Sequence, residues 1–162
     1  MVPPNKTAVL EALLSQLSDL AAQVTNAAKA TSEGATHPEA KPENDKDTRA
    51  LEQSYLARGQ AKRVEELNEQ IQFMRFMPLR AFGAGDRISA GALVIIESEE
   101  DTRCLFLAPH GGGTELMVDG VKVFVVTPQS PFGALVLGRT LGDDIEMRMR
   151  GARREYVIAA VA

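Results

Sequence analysis

The sequence predicts an α+β protein: an N-terminal antiparallel coiled-coil hairpin of two helices, then a small antiparallel-sheet domain with one short helix. Three observations predict it. Apolar residues in the first part of the chain recur at alternating spacings of 3 and 4, the pattern of a helical seam. From Pro78 onward the apolar period changes to 2, as in strands. Between the two helical runs lies Thr36-His37-Pro38-Glu39-Ala40-Lys41-Pro42-Glu43-Asn44, which holds two prolines and almost nothing apolar.

In the first helix Leu10, Leu13, Leu17, Leu20, Val24 and Ala27 follow steps of 3, 4, 3, 4 and 3, so they share one stripe, widened by Leu14 and Ala21. Thr7 is the expected N-cap, and Ser32-Glu33-Gly34 the expected stop. The second helix is expected to begin near Asp45 or Asp47, whose charge suits the positive end of a helix dipole. Val64, Leu67, Ile71 and Met74 continue the seam, while Leu51 and Tyr55 give way to Gln60 and Ala61. Each helix needs a partner, and each is the other's nearest one. Pro38 and Pro42 turn the chain between them, because the residue before a proline is biased away from helix. Helices of about 25–30 residues at 1.5 Å per residue would carry that turn roughly 40 Å from the base. The hairpin is assigned to residues 1–77, with its tip near 36–46.

Phe76 to Gly85, with a proline and two glycines, reads as a joint, and 78–162 as the second domain. Leu93 to Ile96 and Cys104 to Leu107 read as neighbouring strands joined by the turn Glu99-Glu100-Asp101-Thr102. Val121 to Val126 is another. A short helix is expected to start at Ser130, with Pro131 at its first position, and to stop at Gly138. Ile145 to Met149 and Tyr156 to Val161 supply the last strands around a turn at Gly151.

A net charge of -4 and a pI near 5.3 argue against a general nucleic-acid coat, which needs a basic face. Neither half is a hidden basic module, since each side of Pro78 holds 9 Lys+Arg against 11 Asp+Glu. Cys104 is the single cysteine, so internal disulfides and Cys-based zinc clusters are excluded. Its apolar neighbours predict a buried, inert thiol. The N-terminus lacks the pattern of a signal peptide, and no run is long and apolar enough to span a membrane, so the expected location is cytoplasmic.

Val126-Thr127-Pro128-Gln129-Ser130-Pro131, then Leu137-Gly138, then Leu141-Gly142-Asp143, resembles the "SP…G…GD" stretch of the GreA/GreB transcription elongation factors. Gly91-Ala92-Leu93-Val94 and Glu155-Tyr156-Val157-Ile158 are similar to the strands that open and close that family's FKBP-like C-terminal domain. The resemblance covers the whole chain. It implies a factor that binds bacterial RNA polymerase through the C-terminal domain, with Ser130, Pro131, Gly138 and Asp143 on the docking side. It also implies a hairpin that enters the polymerase secondary channel, touching nascent RNA only through the polymerase. The expected protein is a monomer, not an enzyme and not membrane-bound, with no permanent cofactor. Its tip carboxylates would help hold a second Mg²⁺ shared with the polymerase, a hard cation that prefers oxygen ligands. Two metals there would promote hydrolysis of backtracked RNA.

The family's tip carries an Asp, two further residues, then Glu-Asn. Glu43-Asn44 matches the second part, but the position three before Glu43 is Ala40. Glu43 is therefore the first candidate ligand and Glu39 the second. Asn44, Lys41 and Asp45 are expected in support; Asp45 and Asp47 double as residues of a helix's first turn. The Ala40 departure keeps a second reading open, a secondary-channel regulator that does not promote cleavage, like Rnk-type or anti-Gre proteins. A prolyl isomerase is suggested by the FKBP-like fold alone, and a fold does not carry an activity.

Three other features have plain structural readings. His110-Gly111-Gly112-Gly113 lacks the Lys-Ser/Thr ending of a phosphate loop and reads as a flexible turn. Arg148, Arg150, Arg153 and Arg154 form a basic cluster that could contact polymerase or RNA, and that an edge-strand guard explains as well. Phe73, Met74, Phe76 and Met77 are expected to seal the helix base onto the sheet.

Overall fold

The computed structural model describes residues 1–36, 48–149 and 151–162. Helix α1 spans Lys6–Thr36 and α2 Thr48–Arg75; strands β1 (Leu93–Glu97), β2 (Thr102–Leu107), β3 (Glu115–Val118) and β4 (Val121–Val126) follow. Helix α3 (Pro131–Val136) and strands β5 (Asp144–Met149) and β6 (Ala152–Val161) complete the chain. The chain divides into two compact units, Ser15–Phe73 and Met1–Leu14 with Met74–Ala162. The root of α1 thus belongs with the sheet.

The sheet runs β3-β4-β2-β1-β6-β5. It is mixed, not antiparallel throughout: β2 and β4 pair in parallel, with Leu105 opposite Phe124. The cause is β3, a strand the sequence reading passed over. The chain leaves β2, forms the β3–β4 hairpin, and lays the hairpin's second strand beside β2, so direction is preserved. Asp119-Gly120 makes the hairpin turn, both residues at positive φ (51° and 76°), as a two-residue connection demands.

The expected period of 2 fails in the central strands. In β1 Leu93, Val94, Ile95 and Ile96 are all buried, as are Cys104 to Leu107 in β2. A strand buried on both faces reads as a continuous apolar run. One face forms a core with Phe82, Ile88, Tyr156, Ile158 and Val136 of α3. The root of α1 adds the buried Val9, Leu10 and Leu13 to the same unit. Leu13 lies so near the β2–β3 connection that a Cβ at Gly111 would come within 2.9 Å of its Cδ1.

Helix α1 is capped by Asn5, not Thr7. The Asn5 Oδ1 accepts from Ala8 N at 3.1 Å, and the Asn5 backbone N–H donates to Asp119 Oδ2 at 3.0 Å. The β3–β4 turn thus places a carboxylate at the positive end of α1, a contact across 114 residues that local pattern cannot reveal. The helix also continues through Ser32-Glu33-Gly34 to Thr36, since glycine permits a stop without forcing one.

In the Ser15–Phe73 unit the seam is shorter than the spacing predicts. Leu17, Ala21, Leu67 and Ile71 are buried, whereas Leu20 is 39% exposed. Val24 is half-buried and Ala27 exposed. An α-helix turns in 3.6 residues, so a strict 3-4 repeat drifts off the seam unless the helices supercoil.

Asn5→Ala removes a cap acceptor and is expected to cost about 1 kcal/mol of stability, read from chemical denaturation. Thr7→Ala is expected to leave the denaturation midpoint unchanged.

Candidate functional site

The candidate tip residues Glu39, Lys41, Glu43, Asn44 and Asp45, together with Ala40 and Asp47, lie outside the described residues. The other nominated group, Ser130, Pro131, Gly138 and Asp143, lies around α3 in the sheet unit.

Each of these four has a structural task. The Ser130 Oγ accepts from Gly133 N at 3.2 Å while its hydroxyl donates to Thr127 O at 2.8 Å, tying the helix start to the end of β4. Pro131 fills the first helical position, where a missing N–H costs nothing. Gly138 sits at φ +75° as the chain leaves the helix. Its N–H donates to Ile88 O at 2.8 Å and its carbonyl accepts from Arg87 Nη1 at 3.2 Å. The Asp143 carboxylate accepts from Thr140 N at 2.9 Å, and its carbonyl accepts from Ile158 N at 3.0 Å. The motif is a cap, a stop and a strand start, and it fixes which groups the surface presents.

That surface contains a cleft of about 390 Å³ bounded by Ser130, Pro131, Phe132, Phe124, Met147 and Arg103. The Arg103 guanidinium lies 5.6 Å from the Phe124 ring centroid and 5.2 Å from that of Phe132. Asp101 accepts from Arg103 Nε and so orients the group. Behind the cleft, Phe132 meets Tyr156 edge-on at 6.0 Å. The Tyr156 hydroxyl is buried with no hydrogen-bond partner among the described residues. Sequence reasoning did not nominate Arg103, Phe124 or Phe132. Only the parallel pairing of β2 and β4 makes the first two neighbours.

Gly133 was also missed. A Cβ there would stand 1.8 Å from Thr127 O, so no other residue fits without moving the β4–α3 connection. Two of the glycines after His110 have a similar cause, while Gly113 faces open space at φ +88°. Gly111 approaches Leu13, a Cβ on Gly112 would meet Thr127 Cγ2 at 2.8 Å, and Gly113 N donates to Val125 O at 2.9 Å. The segment is a packed turn rather than a flexible one.

The described arginines of the last hairpin are engaged. Register sets Glu146 opposite Glu155, an unfavourable pair that Arg153 bridges at 2.7 and 3.3 Å. Arg148 also reaches Glu146, and Arg154 reaches Glu100. Arg150 lies outside the described residues. Near the joint, Lys6 donates to Arg80 O at 2.7 Å, and both cations lie over the Phe82 ring. Burial and the Arg80 charge lower the pKa of Lys6. Met74 and Met77 are buried, whereas Phe73 is 58% and Phe76 83% exposed.

Cys104 is buried, and that burial pushes its thiol up to about 11. Among the described residues no three His, Cys, Asp or Glu side chains gather to hold a metal ion, and no helix is long and apolar enough to cross a membrane.

No family model matches the sequence, and no curated protein matches it. Among solved structures the chain is similar to the transcription factor Gfh1, at 15% identity over 93% of each chain with a TM-score of 0.40. It is similar to Gfh1 of Thermus aquaticus at 19% identity, over 99% of this chain and 97% of that one, with a TM-score of 0.39. A third likeness is to the prokaryotic transcription elongation factor GreA/GreB from Nitrosomonas europaea. It has 17% identity, covers 59% of this chain and 78% of that one, and has a TM-score of 0.36.

Two outcomes follow from this geometry. Gly133→Ala is expected to destabilise by about 2 kcal/mol or more through overpacking against backbone, seen as a fall in the denaturation midpoint. Cys104 is expected to resist a thiol reagent at pH 8 in the native state and to react on unfolding. Because the folded thiol titrates near 11 and the free one near 9.0, stability is expected to fall as pH rises between those values.

Proposed function

We propose that the chain is a transcription elongation factor of the GreA/GreB type, acting on bacterial RNA polymerase as a monomeric accessory protein. The observation that carries this reading is the order of parts. A unit of two long helices with the seam Leu17, Ala21, Leu67 and Ile71 precedes a sheet unit. In that sheet unit the "SP…G…GD" stretch builds one helix start, one stop and one strand start. The sequence resemblance supplies the family.

On this reading the α3 side of the sheet unit docks on the polymerase, and the segment joining α1 to α2 reaches the secondary channel. Glu43, aided by Glu39, would then lend carboxylates to a Mg²⁺ shared with the polymerase. The ion would supply an activated water for hydrolysis of backtracked RNA. Carboxylates are the hard oxygen donors such an ion takes. Asn44, Lys41 and Asp45 would support the two acids. The catalytic centre belongs to the polymerase, and nascent RNA is met only there.

A second reading is favoured by one observation, Ala40 at the position where the family's tip has Asp. With one ligand fewer, the factor would occupy the secondary channel without promoting cleavage.

The test uses RNA polymerase stalled in a backtracked complex, with the protein and Mg²⁺ added. Shortened transcript 3′ ends are expected, with Glu43→Ala lowering cleavage on the order of 10–100-fold, the scale of weakening a metal's ligand set. Glu39→Ala is expected to have the smaller effect. Binding without cleavage selects the second reading, and absence of binding removes both.

A further inference from the structure

We infer that the two-helix unit is built in two tiers of stability, its outer part opening while the part nearest the sheet-unit residues in sequence stays folded. The inference concerns the free protein and does not depend on the proposed function.

The buried side chains of the Ser15–Phe73 unit are Leu17, Ala21, Leu67 and Ile71. In residues 22–33 and 51–63 no described side chain is buried. The large apolar groups there are displayed rather than packed: Leu51 is 57%, Tyr55 63% and Leu56 56% exposed. Helices in proteins draw most of their stability from burying an apolar face, and runs of this length are marginal in water without it.

Three further features weaken the outer tier. Gly59 lies inside α2 with open space around it, so no close approach requires glycine there, and it costs helix stability by leaving the unfolded backbone freer. Beside it, the Gln60 Oε1 is buried with no hydrogen-bond partner among the described residues, an unfavourable state for an amide. In α1 the Thr25 and Thr31 hydroxyls donate back to Ala21 O and Ala27 O at 2.7 and 2.9 Å, a bond that tends to bend helices. The inner tier has the opposite character, with Leu67 1% and Ile71 5% exposed. Segments with few buried apolar contacts open at lower free energy than the whole molecule.

Native-state amide hydrogen exchange on the full chain tests this. Amides of 22–33 and 51–63 are expected to exchange much faster than those of 64–73, at rates insensitive to low denaturant, as in local opening. The Gly59→Ala variant is expected to slow exchange in 51–63 by about fivefold. Gln60→Leu provides a second variant with the same expected direction. Leu67→Ala is the counterpart: it should speed exchange in 64–73 and leave 51–63 unchanged, because the outer part opens with Leu67 still packed. Equal protection along both helices would overturn the inference. So would a Leu67→Ala variant that speeds both tiers together, because the unit would then open as one.

Discussion

The central strands of the sheet are apolar on both faces, and that constraint organises the larger unit. A sheet with one wet face can stop at a single covering layer; β1 and β2 cannot, because Leu93 to Ile96 and Cys104 to Leu107 leave no face for water. Helix α3 and the segment holding Phe82 and Ile88 cover one side. The first turns of α1 bring Val9, Leu10 and Leu13 into the same unit, and the Asp119 carboxylate meets the Asn5 backbone at the helix start. One helix therefore serves two units: its root belongs to the sheet unit and its continuation to the unit that holds α2.

That division explains the uneven seam. Large apolar groups are buried where α1 and α2 carry Leu17, Ala21, Leu67 and Ile71, and the series ends there. Beyond it α1 turns to alanine, threonine and charge, while α2 leaves Leu51, Tyr55 and Leu56 exposed.

Around α3 the same residues bear on folding and on the proposed docking. Ser130, Pro131, Gly138 and Asp143 hold a cap, a helix start, a left-handed exit and a turn. By doing so they set the Arg103–Phe124–Phe132 cleft beside them. The local geometry needs these residues whether or not their side chains touch another protein.

The sequence by itself determined the two long helices, five of the six strands, the Ser130 cap and the buried Cys104, because each rests on local spacing or composition. It also named Glu43 and Glu39, which lie outside the described residues. Tertiary structure decided the rest. The parallel β2–β4 pairing, the Asp119 contact with the head of α1 and the Arg103 stack over two rings all join residues distant along the chain. Periodicity says which face a residue prefers, but only the folded chain fixes which other residue meets it there.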